Sequence, residues 1–328
     1  MTDRLDLPIR LRRNRSSEAI RQLLQETRLH PSDFVAPFFI IEGHQKSIPI
    51  RSMPGVHRLS IDMLLREVES LHRQGIQAVA LFPALGEECR TDCASEAWNP
   101  EGLVPRAIYA IKQAFPSVCV VADIALDPYT SHGHDGLLNE RGEVDNDVTV
   151  ERLIRMASLY AAVGVDMVAP SDMMDGRVGA IRNALDEEGY ERVGILSYSA
   201  KYASSLYAPF RDALGTAPLK GDKKSYQLNP ANRREALLEA VLDESEGADI
   251  LMVKPALLYL DIIRDLREQT NRPIAAYHVS GEYAMVLAAH QMNYLDASKV
   301  FYESLLSIKR AGADLIFTYA IPYILDRL

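Results

Sequence analysis

Two lysines end two apolar runs, and an amine in that place can do carbonyl chemistry. Lys201 closes Gly194-Ile195-Leu196-Ser197-Tyr198-Ser199-Ala200, and Lys254 closes Ala248-Asp249-Ile250-Leu251-Met252-Val253 just ahead of Pro255. An ammonium at the end of a buried strand is poorly solvated. Desolvation favours the neutral amine, and a second ammonium nearby favours it further. A neutral lysine attacks ketones and forms Schiff bases. One such lysine points to a class I aldolase-like lyase. Two point to an enzyme that holds two carbonyl substrates at once. Most strand-end lysines are merely solvated, so the surroundings decide. No turn signal separates Asp249 from Lys254, and Lys201 is followed by Tyr202, Ser204, Ser205 and Tyr207, a polar and aromatic cluster rather than a charged face.

The elements that must position these amines follow from the pattern. Apolar runs rich in β-branched and aromatic residues fall at 34–41, 78–82, 118–126, 167–170, 193–199, 250–254, 274–279 and 315–319. Helical patterns lie between them, for example at 61–74, 103–114, 148–163, 233–244 and 259–268. Strand and helix in alternation, with strands apolar on both faces, predict an α/β chain whose parallel sheet closes into a (β/α)8 TIM barrel. A doubly wound open sheet is the rival, but no Gly-rich phosphate loop follows the first run. Residues 1–30 are mostly polar, with one amphipathic piece at 19–29, and read as an extended N-terminal arm on a barrel domain of residues 31–328.

Barrel chemistry sits at the C-terminal ends of the strands. There the third run carries Asp123 and Asp127, then Pro128-Tyr129-Thr130-Ser131-His132-Gly133-His134-Asp135-Gly136. The fourth ends in Pro170-Ser171-Asp172, the seventh in Tyr277-His278-Val279-Ser280-Gly281-Glu282, and the eighth in Phe317-Thr318-Tyr319. Acids, hydroxyls and two amines therefore meet at one mouth. A scaffold that binds without turnover would leave both lysines unexplained.

Composition removes other classes. The 328 residues are 48% hydrophobic and 25% charged, as in an ordinary globular protein. A net charge of -9 argues against a nucleic-acid partner, which needs a basic surface. The one basic cluster, Arg10, Arg12, Arg13 and Arg15, is short and lacks aromatic partners, and fits an arm that packs on another subunit. No run approaches the roughly 20 apolar residues of a membrane span. No hydrophobic signal region opens the chain, and Cys89, Cys93 and Cys119 make no disulfide framework. The expectation is a cytoplasmic protein with free thiols.

The chain resembles the porphobilinogen synthase (5-aminolevulinate dehydratase) family over nearly its full length. The resemblance rests on Met252-Val253-Lys254-Pro255, Ser197-Tyr198-Ser199-Ala200-Lys201-Tyr202-Ala203-Ser204, Tyr207-Ala208-Pro209-Phe210-Arg211-Asp212-Ala213, Lys223-Lys224-Ser225-Tyr226-Gln227-Leu228-Asn229-Pro230, Val279-Ser280-Gly281-Glu282-Tyr283-Ala284-Met285 and Lys309-Arg310-Ala311-Gly312-Ala313-Asp314. It implies the condensation of two 5-aminolevulinate molecules into porphobilinogen, the monopyrrole of haem, chlorophyll and other tetrapyrroles. Lys254 matches the Schiff-base lysine of the P site, which yields the propionate half. Lys201 matches that of the A site, which yields the acetate half. Ser280 and Tyr319 match the P-site carboxylate binders, with Tyr277 packing near that substrate. Arg211, Gln227 and Lys223 match A-site carboxylate binders, Ser171, Asp123, Asp127 and Asp135 line that site, and Phe210 packs against substrate.

The metal is where the chain departs from the best-known branch, which holds catalytic zinc on three cysteines after the third strand. Ala125, Asp127 and Asp135 stand at those places. Carboxylates favour hard cations over zinc, so no catalytic zinc is expected, and a metal-free site and a weak magnesium site at Asp127 and Asp135 both stay open. His132 and His134 read as loop-shaping groups. The resemblance also implies an allosteric magnesium at Glu239, near a subunit interface, and an octamer served by the arm.

Overall fold

Strands form where the branched and aromatic runs lie, and the computed structural model, which describes residues 7–215 and 221–328, closes them into a barrel. The barrel strands among the described residues are β1 (Phe34–Ile40), β2 (Ala78–Pro83), β3 (Cys119–Ile124), β4 (Met167–Pro170), β5 (Gly194–Lys201), β6 (Ile250–Lys254), β7 (Ile274–His278) and β8 (Leu315–Thr318). Each pairs in parallel with the next, and β1 returns to β8 through Phe34↔Ile316 and Val35↔Phe317. The open doubly wound sheet is thereby excluded. Two short strands, Ser47–Pro49 and His57–Leu59, make a hairpin beside β1.

Helices Ile61–Arg73, Leu103–Ala114, Asn146–Ala162, Arg177–Glu187, Arg234–Ser245, Leu260–Gln269 and Ala297–Ala311 form the outer layer. Their boundaries follow local chemistry. Asp145 accepts a hydrogen bond from the Val148 amide and Asp296 one from Lys299, each satisfying a donor that a helix start leaves open. Gly312 ends Ala297–Ala311 with φ at +129°, a conformation that costs glycine least.

The two ends of the barrel differ in purpose. At the N-terminal end an aspartate precedes β4, β6 and β8, and each takes an amide proton from the strand before it. Asp166 accepts from Val120, Asp249 from Ile195 and Asp314 from Ile274, at 2.7–2.8 Å. The Gly312-Ala313-Asp314 part of the last family motif is thus a staple of the fold. Between the ends, β7 is buried at all five residues, and Phe39, Ile195, Val253 and Phe317 are inaccessible.

The arm differs from its expectation. Helix forms only at Glu18–Leu23, capped by Ser17, and a short 3-10 turn occupies Leu11–Arg15. The amphipathic pattern to residue 29 does not stay helical: the helix ends at Leu23, and by His30 the chain is extended, as the residue before a proline prefers. Residues 1–6 of the arm lie outside the described residues. β3 also stops two residues short of the run at 118–126, where the Leu126 amide turns to the Asp135 carbonyl and closes the acid-bearing loop.

Candidate active site

The two amines are brought together by register. Lys201 and Lys254 are direct partners on β5 and β6. Partners on parallel strands face the same side, so both side chains enter the mouth. This needs a defect. Ser197 pairs with Leu251 but Ala200 with Val253, so β5 carries one residue more than β6 over that stretch. Such a bulge re-aims whatever follows it. Ser197, on the other side of the bulge, faces the helices and donates to Asp243 at 2.6 Å.

Lys254 sits in an aromatic cage. Its Nζ lies 4.3 Å from the Tyr277 ring centre, 5.0 Å from those of Tyr198 and Phe210, and 5.4 Å from that of Tyr207. Burial pushes its pKa down to about 7, and the Lys201 charge pushes the same way, against the attraction of Asp123, Asp127 and Asp135. Near neutral pH a large share of this amine is therefore unprotonated and nucleophilic. Its backbone is pinned too: the carbonyl accepts from the Tyr202 amide at 2.9 Å and the Tyr207 hydroxyl at 3.0 Å.

Lys201 sits among oxygens instead. Its Nζ donates to the Ser171 carbonyl and lies 3.5 Å from an Asp135 oxygen. Lys223 joins the same cluster, at 2.8 Å from Asp135 and 3.2 Å from Asp127. Burial opposes the Asp135 charge, but the Lys201 and Lys223 ammoniums outweigh it and hold the group down to about 2. Burial raises Asp127, with Lys223 opposing. It pushes Asp123 up to about 7 against the pull of Lys201 and Lys254. A carboxyl that exchanges its proton near neutrality, beside two amines, can serve as both acid and base.

Phe210 packs on Phe39 and Phe82 at 5.4 and 5.3 Å between ring centres. Tyr319 shares a 2.9 Å hydrogen bond with Tyr277, and Ser280 begins a helix at Ser280–Gln291. Gln227 is buried, while Arg211 lies exposed on Ala208–Leu214 and Glu239 half-buried on Arg234–Ser245. His132 and His134 are buried in the β3 loop, where His134 Nδ1 meets the Tyr226 hydroxyl at 3.1 Å. Among the described residues no cluster of three or more His, Cys, Asp or Glu side chains could hold a metal.

Known proteins share this chain's sequence and fold. Residues 8–327 match the family model for delta-aminolevulinic acid dehydratase. The chain belongs to the delta-aminolevulinic acid dehydratase family. It is 54% identical over 324 residues to the dehydratase of Chlamydia pneumoniae, covering 99% of this chain and 97% of that one. It is 53% identical to the chloroplastic dehydratase of Physcomitrium patens, over 96% of this chain and 73% of the relative. The crystal structure of the Toxoplasma gondii dehydratase, in complex with porphobilinogen, superposes with a TM-score of 0.96 at 50% identity, over 98% of this chain and 92% of that one.

The activity is that of a porphobilinogen synthase, a hydro-lyase of tetrapyrrole biosynthesis that acts on 5-aminolevulinate. Its relatives include bacterial and chloroplastic forms, and no helix among the described residues is long and apolar enough to cross a membrane. Sequence reasoning on this dehydratase-family chain missed Tyr198 and Tyr207 as walls of the Lys254 cage. Both stand in quoted motifs, but Tyr198 faces the mouth by its parity on β5 and Tyr207 reaches it from the short 3-10 turn at Ser205–Tyr207.

Proposed function

We propose that the two lysines divide the condensation between them. Lys254 attacks the ketone of the P-site 5-aminolevulinate, whose carboxylate Ser280 and Tyr319 bind, with Tyr277 against its chain. Lys201 takes the ketone of the A-site molecule. Arg211, Gln227 and Lys223 serve that carboxylate, Phe210 packs on the substrate, and Ser171, Asp123, Asp127 and Asp135 orient its amine. Asp123 is the group best suited to move protons from the carbon beside an imine, since it exchanges near pH 7. The observation that carries the reading is the shared register of Lys201 and Lys254, with the Lys254 pKa lowered to about 7.

The acid-rich loop works without a metal in this reading. Asp127 and Asp135 are already matched by the Lys223 and Lys201 ammoniums. Zinc favours thiolate and imidazole, and even magnesium would have to displace Lys223. The donor set fits neither ion well, and no step runs through one. Glu239 is a better magnesium residue. It lines a polar cavity of about 770 Å³ with Asp175 and Glu235, and burial raises its pKa while Arg177 opposes. Further ligands would come from water or a neighbouring copy. The arm leaves Ile9, Leu11 and Leu23 between 69% and 79% exposed, which supports its docking on another subunit of an octamer.

Borohydride reduction in the presence of 5-aminolevulinate tests the central point. Peptide mass analysis should find substrate on Lys254 and on Lys201. Label on Lys254 alone would favour the single-lysine lyase, and label on neither would sink both.

A further inference from the structure

The P site needs more than its two contact groups. A 4-oxo acid has a fixed number of bonds between carbonyl and carboxylate. The Lys254 amine and Ser280 must therefore stand a fixed distance apart. They lie on different segments, one at the end of β6 and one after β7.

Glu282 joins those segments. It is completely buried, and both carboxylate oxygens are engaged. One accepts from the Leu257 amide at 2.7 Å, three residues beyond Lys254. The other accepts from the Val279 amide at 2.8 Å, next to Ser280. The segment at 205–207 closes the joint. Tyr207 donates to the Lys254 carbonyl, and Ser280 donates to the Leu206 carbonyl at 3.3 Å. A Cβ on Gly281 would stand 2.5 Å from that same carbonyl oxygen, so the backbones touch. A helix start is capped as well by serine or threonine, which bury no charge. Burying a carboxylate is costly unless it is fully bonded. Burial pushes Glu282 up to about 7, against its amide bonds. A costly cap that serves two loops does what a cheap cap cannot.

We infer that Glu282 is a positioning residue that fixes the span between the Lys254 amine and the Ser280 carboxylate subsite. The inference rests on the roles proposed for those two residues. Glu282 touches no reacting atom; it acts through the loops it ties.

Two ketone probes test it on the full chain: 4-oxopentanoate, which carries the carboxylate, and 2-butanone, which lacks it. Each is trapped on Lys254 with borohydride, and the labelled peptide is measured against probe concentration. Glu282→Gln turns an amide NH2 toward one of the two backbone N–H groups and breaks that tie. Its labelling by 4-oxopentanoate should need about tenfold more probe, while labelling by 2-butanone stays as in the parent. Glu282→Asp, too short to reach both amides, should behave alike and carries the comparison if the glutamine variant does not fold. Parental labelling by both probes would overturn the inference. So would equal loss of both in a protein with native near-ultraviolet circular dichroism, which would make Glu282 a support of the fold alone. Ser280→Ala in the parent background tests the underlying reading by itself. If it labels with 4-oxopentanoate as the parent does, the carboxylate subsite is misassigned and the inference falls with it.

Discussion

The two lysines end neighbouring strands in one register, yet their surroundings are opposite. Lys254 is walled by Tyr198, Tyr207, Phe210 and Tyr277. Lys201 is held by the Ser171 carbonyl and Asp135, with Lys223 beside it. Aromatic walls withhold solvation and leave an amine that sheds its proton easily. The other amine is held by oxygens instead, the Ser171 carbonyl and an Asp135 carboxylate oxygen. Two copies of one substrate can thus meet two different chemistries, and an asymmetric product follows from an asymmetric pair of cages.

The largest effect should come from removing either amine. Lys254→Ala and Lys201→Ala should each lower porphobilinogen formation by about a thousandfold or more, and the double variant should be little worse than either single one. Both side chains enter the mouth rather than the packed core, so the fold should persist. Parental turnover in either variant, in a colorimetric porphobilinogen assay, would end the comparison.

pH should separate the cages next. Only the neutral amine attacks a ketone, so 2-butanone labelling of Lys254 should rise about tenfold per pH unit below roughly 7 and level off above it. The same shift has a stability counterpart. Unfolded lysine keeps its proton to about pH 10.4, so between about 7 and that value the unfolded chain binds more protons and stability rises with pH. Lys254→Met should therefore raise Tm at pH 6 and gain less by pH 10. Labelling that is flat between pH 5.5 and about 8 would show that the aromatic walls do not lower this amine.

How much of this was legible beforehand depends on range. The barrel followed from alternating apolar runs, and both lysines from their places at the ends of two of them. Asp123, Asp127 and Asp135 were legible as a cluster because β3 and the loop after it carry them. What Lys223 holds was not: it meets Asp127 and Asp135 from 88 or more residues away. Glu282 was legible only as one of the polar groups ending the seventh run, because its second partner, Leu257, belongs to another loop. The arm helix was overdrawn because the apolar period runs on to residue 29, while the helix itself ends at Leu23.

Assembly should touch the two cages unequally. The Lys201 side depends on the mouth loop at 128–146, which the docked arm is expected to help order. The Lys254 cage is built on strand ends. Deleting residues 1–15 should lower the oligomeric state by light scattering and reduce activity, with borohydride labelling of Lys201 falling more than that of Lys254. A deletion protein of full size and full activity would make the arm a passive tail.

The smallest effects should be those of metals. Zinc chelators selective for thiolate sites should not inhibit, because Lys223 and Lys201 already neutralise the acids after β3. Strong inhibition restored by zinc alone would show that Asp127 and Asp135 were misjudged. Magnesium should stimulate by a modest factor, and Glu239→Ala should weaken that response with little change in KM. An unaltered magnesium response would remove Glu239 from the account.

The extra residue in β5 has a consequence of parity. A strand has two sides, so position along it counts as odd or even, and one insertion exchanges the two for everything downstream. Were the same residues paired in an unbroken ladder from Ser197 onward, Ala200 would stand opposite Lys254 and Lys201 would point out toward the helices. The mouth would then hold one amine, and the barrel would be equipped to grasp a single ketone. The difference between a one-carbonyl and a two-carbonyl enzyme is here one irregularity in strand pairing, at a place where no reactive group changes its identity.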